Sequence, residues 1–299
     1  MAHPFFLLFI GVLATSTSVI FIRLSQTDAV LLAGYRSLFA GLILLPFFIK
    51  ALRKHKHDYK GSFFFRSLIP GLFLAVHFAI FNIGARLTPA ANSTLIINML
   101  PIITPFLFYA ILREFINRAE IYGTILSLAG LVVLGVTDYR IDSRHGAGDI
   151  ICFVSLIFYA FYLVLGRKNR DIVSIWLYVV PLYLTAGITT ILVLFIGNES
   201  GLTDVPIFCF YTLYEFLLIL ALALIPTVIG HTIINYSLKY LRAQSVSIII
   251  LSQFIFAGVL GYVFLNEIPN YAFYIASTLS VIGALIVIIT ARPSHTKMG

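Results

Sequence analysis

Two stretches of the chain repeat one pattern: YAILREFINRAE at residues 109–120 and YVFLNEIPNYAF at residues 262–273. Each ends a long apolar run with a glutamate, and the two glutamates, Glu114 and Glu267, stand 153 residues apart. The same offset relates the tyrosine, leucine and asparagine of the first stretch to those of the second. Beyond the stretches the offset continues in Leu126, Ser127 and Gly130, which match Leu279, Ser280 and Gly283. The repetition predicts two halves of related structure.

The composition predicts a membrane protein. Hydrophobic residues make up 60% of the 299 positions and charged residues 11%, and the mean hydropathy is +1.02. These proportions leave too little polar surface to cover a soluble globule. Because the apolar runs are continuous, they do not fit the ~10 alternating residues of a barrel strand. We therefore expect an all-α membrane protein.

Ten apolar runs approach the ~20 residues that a helix needs to cross ~30 Å of hydrocarbon. The first run lacks the basic start and the cleavage site of a signal peptide, so we predict that it is a retained span. The ten predicted spans cover residues 4–22, 29–49, 67–86, 91–112, 120–137, 148–166, 172–196, 215–237, 243–265 and 270–290.

Lysines and arginines between the spans predict the orientation, because positively charged segments tend to stay on the cytoplasmic side. With the N-terminus inside, fifteen of the twenty Lys and Arg residues fall on the inside. The outside holds Arg23, Arg86, Arg140 and Arg144, and Arg36 lies within a span. The pattern predicts two cytoplasmic termini. The net charge of +8 then reflects topology, and we expect no nucleic-acid partner.

Each half of the chain holds five predicted spans. Because five is odd, the second half starts on the opposite side of the membrane from the first. Residues 1–140 and 141–299 would form two five-helix repeats that insert upside down relative to each other. Inverted repeats are the architecture of secondary transporters, whose halves can exchange roles as one face closes and the other opens. We expect ten transmembrane helices in two inverted repeats. The alternatives are an intramembrane enzyme acting on lipid and a non-transport membrane subunit.

The repeated stretches also resemble a known family. Each has an apolar helix, a glutamate after a short polar break, and a following helix with Gly130 or Gly283 near its middle. This arrangement is similar to the EamA-like repeats of the drug/metabolite transporter superfamily. The resemblance implies that spans three, four, eight and nine line a central path, with spans one, two, six and seven rocking around it. The chain departs from the family pattern at Arg113 and Asn266, where glycine commonly precedes the glutamate.

Two histidines are candidates for the central path. His77 in span three and His231 in span eight stand 154 residues apart, one residue from the repeat offset. A neutral imidazole donates one hydrogen bond, accepts one, and titrates near neutral pH. We predict that the pair binds cargo or carries protons as a coupling ion. The alternative is that each ring bonds a neighbouring backbone carbonyl.

Arg36 is the charged residue that falls within a span. It lies about two turns from the outer end of span two, which places it ~10 Å below the membrane boundary. Two interpretations stay open. The side chain can anchor the helix by reaching towards the interface, or its planar fork can bind a carboxylate or phosphate of the cargo.

The remaining candidate substrate-binding residues are amides and tyrosines. Amides in spans can bind cargo or join helices at ~0.6 kcal/mol each, and tyrosines suit a pocket that is partly apolar and partly hydrogen-bonding. The amides are Asn82, Asn98, Asn235 and Gln253, in spans three, four, eight and nine, and the tyrosines are Tyr109 and Tyr262.

Motifs of other chemistries are missing from the sequence. It has no phosphate-binding P-loop and no nucleophile-elbow or HExxH motif, so we expect neither an enzyme nor a cofactor. Cys152 and Cys209 are too few for a cysteine-rich metal site, and their pairing stays open. We predict a multi-pass protein of the plasma (inner) membrane, monomeric or homodimeric, that transports a small polar organic metabolite such as an amino acid or related compound.

Overall fold

The computed structural model of the chain describes residues 4–141, 146–207 and 211–290. Every regular element in these residues is helical, which confirms the predicted all-α class. We number the α-helices in chain order. They are α1 (Pro4–Ser16), α2 (Ser18–Leu24), α3 (Ala29–Lys54), α4 (Gly61–Leu87), α5 (Ala90–Ile97), α6 (Leu100–Leu112), α7 (Arg118–Ile141), α8 (Gly146–Lys168), α9 (Trp176–Glu199), α10 (Leu213–Leu222), α11 (Thr232–Tyr240), α12 (Ala243–Leu251), α13 (Gln253–Leu265) and α14 (Tyr271–Thr290), with a π-helical segment, Ala223–His231, between α10 and α11.

Among the described residues, nine helical stretches are long and apolar enough to cross a membrane. Four of them join consecutive helices across a local break. The nine are Pro4–Leu24, Ala29–Lys54, Gly61–Leu87, Ala90–Leu112, Gly146–Lys168, Trp176–Glu199, Leu213–Tyr240, Ala243–Leu265 and Tyr271–Thr290. Helix α7 occupies the position of the fifth predicted span and is not among the nine.

Large apolar side chains cover much of the outer surface of this bundle. Phe65, Phe106 and Ile289 are each more than 60% exposed. Exposed apolar surface on this scale suits contact with lipid, since helices satisfy their own backbone hydrogen bonds in a membrane.

The repeated glutamate follows the same backbone turn in both halves. Arg113 and Asn266, the residues before each glutamate, share a left-handed conformation with φ of 56°. The amide of Glu114 then donates to the carbonyl of Phe108 at 3.3 Å, and Glu267 donates to Gly261 at 3.2 Å. Glycine adopts this backbone conformation without steric cost, which explains the family pattern. Arginine and asparagine hold the same turn here.

The repeated asparagine starts the next helix in each half. Asn117 accepts a hydrogen bond at 2.8 Å from the amide of Glu120, at the third position of α7. Asn270 likewise accepts at 3.1 Å from the amide of Phe273, at the third position of α14. Both bonds are N-caps. The repeated stretch therefore ends one helix and starts the next, and it occurs once in each half.

Helices α7 and α14 pack closely at small residues. A side chain on Gly130 would meet the Cα of Ala276 at 2.9 Å, and one on Gly123 would meet the carbonyl oxygen of Gly283 at 2.8 Å. Small residues allow such close approach of membrane helices. Helices α3 and α9 meet in the same way, because a side chain on Gly187 would overlap the backbone of Leu38. The two halves thus pack directly against each other.

Four spans are interrupted near their middle. Span one breaks at Thr17 and the span Ala90–Leu112 breaks at Asn98 and Met99, just before Pro101 in the first turn of α6. The span Leu213–Tyr240 passes through the π-helical segment, which contains Pro226. The span Ala243–Leu265 breaks at Ser252, without a proline. Such breaks free backbone groups at mid-depth, where membrane proteins tolerate them around a cavity.

Candidate functional site

A narrow cavity of about 20 Å³, roughly the room that one water molecule needs, lies among the interrupted spans. Every described residue that lines it is buried, so the cavity lies inside the bundle. The lining comes from both halves of the chain: Thr15, Ser18, Arg36, His77, Phe78, Phe81 and Ile97 from the first, and Tyr159, His231 and Gln253 from the second.

Arg36 contributes the charge of the cavity. Its side chain is fully buried. Its Nε donates to Thr227 Oγ1 at 3.1 Å and its Nη1 donates to Ser18 Oγ at 3.0 Å. The guanidinium carbon stands 3.8 Å from the ring centre of Phe78, within the range of a cation–π contact. In the described part of the chain, Nη2 has no hydrogen-bond partner.

These contacts bear on both interpretations of Arg36. The hydroxyl partners come from α2 in the first half and the π-helical segment in the second, so the side chain ties the halves together. The unpartnered Nη2 nevertheless keeps two N–H donors at the cavity. A buried polar group without a partner costs free energy, and a bound anion would supply that partner.

His77 lies on α4, its ring stacked on Tyr159 with 4.5 Å between the ring centres. The hydroxyl of Ser155 donates to the carbonyl oxygen of His77 at 2.8 Å, and His77 Nδ1 is 2.8 Å from the same hydroxyl oxygen. A serine hydroxyl has one proton to donate. In this assignment His77 therefore donates from Nδ1, which leaves Nε2 as the acceptor of the neutral ring.

His231 ends the π-helical segment and approaches the same aromatic cluster. Its ring meets Phe78 edge-on at 5.0 Å and Tyr159 at 5.9 Å between ring centres. Its Nδ1 is buried and has no partner among the described residues. The structure thus brings both histidines to one cavity, where Tyr159 and Phe78 lie within reach of each. Neither side chain donates to a backbone carbonyl in the described hydrogen bonds.

The four predicted amides occupy different places. Gln253 lines the cavity at the start of α13. Asn235 lies one turn beyond His231, where its Nδ2 donates to the His231 carbonyl oxygen at 2.8 Å and to the hydroxyl of Tyr162. Asn82 donates to the carbonyl oxygen of Ala29 at 3.0 Å. The bonds to Tyr162 and Ala29 join separate spans, and only Gln253 of the three lines the cavity in the described structure.

Asn98 stands at the break between α5 and α6, beside the cavity residue Ile97. It is fully buried, and neither polar atom of its amide has a partner among the described residues. A buried amide with four unmade hydrogen bonds is costly. The amide is therefore available to a water molecule or cargo at the break.

Tyr109 and Tyr262 do not reach the cavity. Tyr109 is 45% exposed and packs on Phe115 with 5.0 Å between ring centres. Tyr262 is 56% exposed. Both lie on the outer surface near helix ends, where tyrosine suits the membrane interface. Their repeat positions match, but the shared face points outwards in both halves.

An ionic cluster closes one end of the bundle. The carboxylate of Glu114, after α6, accepts from Arg167 Nε at 3.0 Å and Arg170 Nη1 at 3.1 Å. Arg167 also donates from Nη1 to the carbonyl oxygen of Leu238 at 2.6 Å. Both arginine partners of Glu114 belong to the second half.

A second ionic cluster closes the opposite end. Glu267, after α13, forms an ion pair with Arg23 at the end of α2. Its other oxygen accepts from the amide of Ala90 at 2.9 Å. The two clusters correspond, because each joins a repeated glutamate to an arginine near the end of the first span in the other half.

Further charges reinforce the Glu114 end. Arg242 donates to Glu120 at 2.8 and 3.1 Å, and this hydrogen bonding raises the pKa of Arg242. Arg66 donates to both carboxylate oxygens of Asp171 at 2.9 and 2.5 Å, which holds the pKa of Asp171 below its usual range.

Sequence reasoning missed several cavity residues. Small hydroxyls in spans usually bond their own backbone, yet Ser18 accepts from Arg36. Depth in the membrane could have indicated Ser18. Ser18 lies six residues before the end of α2 and Arg36 lies seven residues after the start of α3, so the two residues are at similar depth. Phe78 gave no signal, because phenylalanine is frequent in every span.

Cys152 is the cysteine that the structure describes. Cys152 is a buried free thiol on α8, against which Gly84 packs. Cys209 lies outside the described residues.

A helical membrane bundle whose halves together enclose a buried polar cavity is built as a membrane transporter. The pattern of the EamA-like transporter family matches the chain twice, at residues 4–136 and 146–289. The chain belongs to this family, as the repeated stretches predicted.

Relatives extend over most of the chain. An uncharacterized transporter of Archaeoglobus fulgidus is 24% identical over 300 residues, which covers 97% of each protein. An uncharacterized transporter of Clostridium kluyveri is 23% identical over 254 residues, 83% of this chain and 80% of that protein. A solved crystal structure of a protein with 19% identity matches with a TM-score of 0.73 over 97% of this chain and 98% of that chain. This likeness shows the fold alone.

Proposed function

We propose that the protein is a secondary active transporter that moves a small polar organic metabolite, an amino acid or related compound, by alternating access. The observation that carries the proposal is the central cavity with Arg36, a fully buried cation whose Nη2 faces the cavity unpartnered in the described structure. A permanent binding site at mid-depth between two halves is what alternating access requires.

The two ionic clusters supply the gates in this proposal. Glu114 holds the first half to Arg167 of the second, while Glu267 holds the second half to Arg23 of the first. With both formed, the cavity is closed to both sides. Opening one end would require one cluster to separate while the other stays closed, and in this proposal the structure is the occluded state.

Protons are our proposed coupling ion, with His77 and His231 as their carriers. Both rings reach the cavity, and no described carboxylate forms an ion pair with either. A histidine at a cargo site can take a proton from one side and release it to the other as access alternates. Cargo and proton would then share one cavity.

We further propose ten spans in two inverted five-helix repeats, residues 1–140 and 141–299, with α7 as the fifth span. The Glu114 end would face the cytoplasm, together with both termini, in the plasma (inner) membrane. The predicted outer segment 138–147 and the chain beyond residue 290 fall partly or wholly outside the described residues. A reporter after Gly299 should be cytoplasmic and one within 138–147 external; finding both on one side would exclude inverted repeats.

Uptake into proteoliposomes tests transport itself. A panel of labelled amino acids and related acids would be offered with and without an imposed pH gradient. We expect at least one compound to accumulate when the gradient is present, and Arg53→Gln, at the exposed end of α3, to behave as the wild type. Uptake no faster than that of protein-free vesicles for every compound would contradict the proposal.

Accessibility of single cysteines tests alternating access and separates a transporter from an intramembrane enzyme. In a background without Cys152 and Cys209, cysteines at Ile97 and Gln253 would be probed with a membrane-impermeant thiol reagent from each side. We expect each site to react from both sides, with cargo or pH shifting the ratio. An enzyme with one fixed opening would react from one side only.

A further inference from the structure

The charge of the central cavity is not balanced by the protein. No carboxylate among the described residues lies within ion-pairing distance of Arg36, whose polar partners are the hydroxyls of Ser18 and Thr227. An arginine stays protonated even when buried. The described cavity lining includes no Asp or Glu. The closed cavity therefore carries one uncompensated positive charge in surroundings of low dielectric constant.

The geometry around Arg36 leaves one edge of the guanidinium open. Phe78 covers one face at 3.8 Å, and Nε and Nη1 are occupied. Nη2 is buried and unpartnered in the described structure. Two donors of fixed direction remain, which is the arrangement that a carboxylate or phosphate oxygen accepts from arginine.

Aromatic and aliphatic groups line part of the cavity beside Arg36. The rings of Phe78, Phe81 and Tyr159 contribute to the wall with the aliphatic Ile97, next to polar residues that include Gln253. Aromatic walls bind planar groups through stacked or edge-on contacts. The unpartnered Nδ1 of His231 offers a further hydrogen-bonding group in the lining. This lining favours an organic anion over a small hydrated inorganic one.

Charge then distinguishes between two cargo classes. A monoanion neutralises the cavity, whereas a zwitterion brings no net charge and requires a second desolvated cation, its ammonium group, beside Arg36. Burying an unpaired charge is expensive. We infer that the cargo is an organic monocarboxylate without a compensating ammonium group, bound through its carboxylate to Arg36. The inference rests on the proposed transport function and narrows its cargo to the acids related to amino acids.

Matched pairs of compounds test this inference. Each pair would share one carbon skeleton: the 2-oxo acids and amino acids corresponding to alanine, leucine, phenylalanine, tyrosine and glutamine, with phenylalaninamide as a cation and sodium chloride and phosphate as inorganic anions. Binding to purified protein would be measured by thermal stabilisation and by competition, and transport by counterflow in proteoliposomes. Arg36→Gln and Arg36→Lys would be compared with Arg53→Gln, an exposed arginine on the same helix.

We expect the best 2-oxo acid to bind at least about tenfold more tightly than its amino acid, a difference of ~1.4 kcal/mol. Arg36→Gln should lose this binding, Arg36→Lys should keep part of it, and Arg53→Gln should retain it. Transport of amino acids with oxo acids excluded would overturn the inference and leave the transport function standing. Equal stabilisation by chloride or phosphate would assign the site to an inorganic anion instead. Binding and transport of no compound in the panel would overturn both proposals.

Discussion

Two buried arginines, Arg36 and Arg167, differ in whether a carboxylate of the protein balances their charge. Arg167 is 6% exposed and pairs with the carboxylate of Glu114, and its Nη1 donates to the carbonyl oxygen of Leu238. Arg36 is 0% exposed, has two neutral hydroxyl partners, and keeps Nη2 unpartnered in the described part of the chain. The charge at the end of the bundle is compensated by the protein, and the charge at the centre is not.

The difference separates a structural charge from a functional one. Breaking a buried ion pair leaves an uncompensated charge and is strongly destabilising. Replacing a charge that has no counterion removes a desolvation cost instead. Replacing Arg167 should therefore lower stability. Replacing Arg36 should leave stability unchanged or higher and should lower transport. Each variant tests the comparison separately.

The largest effect is expected for transport after Arg36→Gln. Removing one partner of a buried charge pair costs about 2–5 kcal/mol of binding, which corresponds to a loss of roughly thirtyfold or more in cargo affinity. Uptake into proteoliposomes at equal protein content measures the loss. Arg36→Lys should transport weakly, since lysine keeps the charge without the planar fork. Normal uptake by the Gln variant would assign Arg36 to anchoring alone.

The next effect is the loss of folded stability in Arg167→Gln. A broken buried pair typically costs about 3–5 kcal/mol, and we expect the lower part of that range because Arg170 still pairs with Glu114. Thermal unfolding in detergent measures the change. The matched control is Arg170→Gln, 46% exposed, which should cost less than about 1 kcal/mol. Equal losses in the two variants would mean that burial does not distinguish them.

Histidine substitution separates proton carriage from cargo binding within the cavity. Gln keeps hydrogen bonding at position 231 and removes titration near neutral pH. We expect His231→Gln to lose about tenfold in pH-driven accumulation and to keep exchange of cargo down its own gradient, with His77→Gln behaving similarly. Weakening of both modes together would indicate cargo binding only. Unchanged rate, affinity and pH profile in both single variants and in the double variant would make the pair structural.

A smaller effect compares the two halves at their left-handed residues. A non-glycine residue in this conformation costs roughly 1 kcal/mol, so Arg113→Gly should raise stability by up to about that amount. Asn266→Gly should gain less, because asparagine tolerates the conformation better. Arg113→Ala removes the same side chain and keeps the strain, so it should show no gain. A gain in the alanine variant would point to the arginine side chain as the destabilising element.

The smallest effect is a pH dependence at the Glu114 end. Hydrogen bonds from Arg66 hold the pKa of Asp171 below its usual range. The stabilisation is therefore present above the unfolded pKa, near 3.9, and lost as pH falls through the lower folded value. Because the Asp171 side chain is 56% exposed, we expect less than about 1 kcal/mol. Thermal unfolding between pH 7 and pH 3 should show a smaller acid-induced loss in Asp171→Asn than in the wild type.

The sequence predicted the elements that local chemistry determines. The repeated Glu and Asn mark a helix stop and a helix start because turn geometry and capping depend on neighbouring residues. The near-repeat spacing of His77 and His231 likewise indicated that the two residues lie at one cavity. In each case the informative residues were polar. Polar residues are costly to place in a membrane, so few positions accept them.

Side-chain direction could not be predicted in the same way. The spans are apolar on all sides, so periodicity does not show which face turns inwards. Tyr109 and Tyr262 therefore looked equivalent to Tyr159 in sequence, although only Tyr159 lines the cavity. The partners of Glu114 and Glu267 were equally hidden, because ion pairs across the two halves depend on packing between distant segments.

One paired measurement on Arg36→Gln tests the central claim most directly. Thermal unfolding of the purified variant and of the wild type would be recorded without cargo and with a saturating transported carboxylate. The account predicts that the cargo-free variant unfolds at the same temperature as the wild type or higher, and that the carboxylate stabilises only the wild type. A cargo-free variant that unfolds at a clearly lower temperature, yet is stabilised by the carboxylate as much as the wild type, would contradict the account.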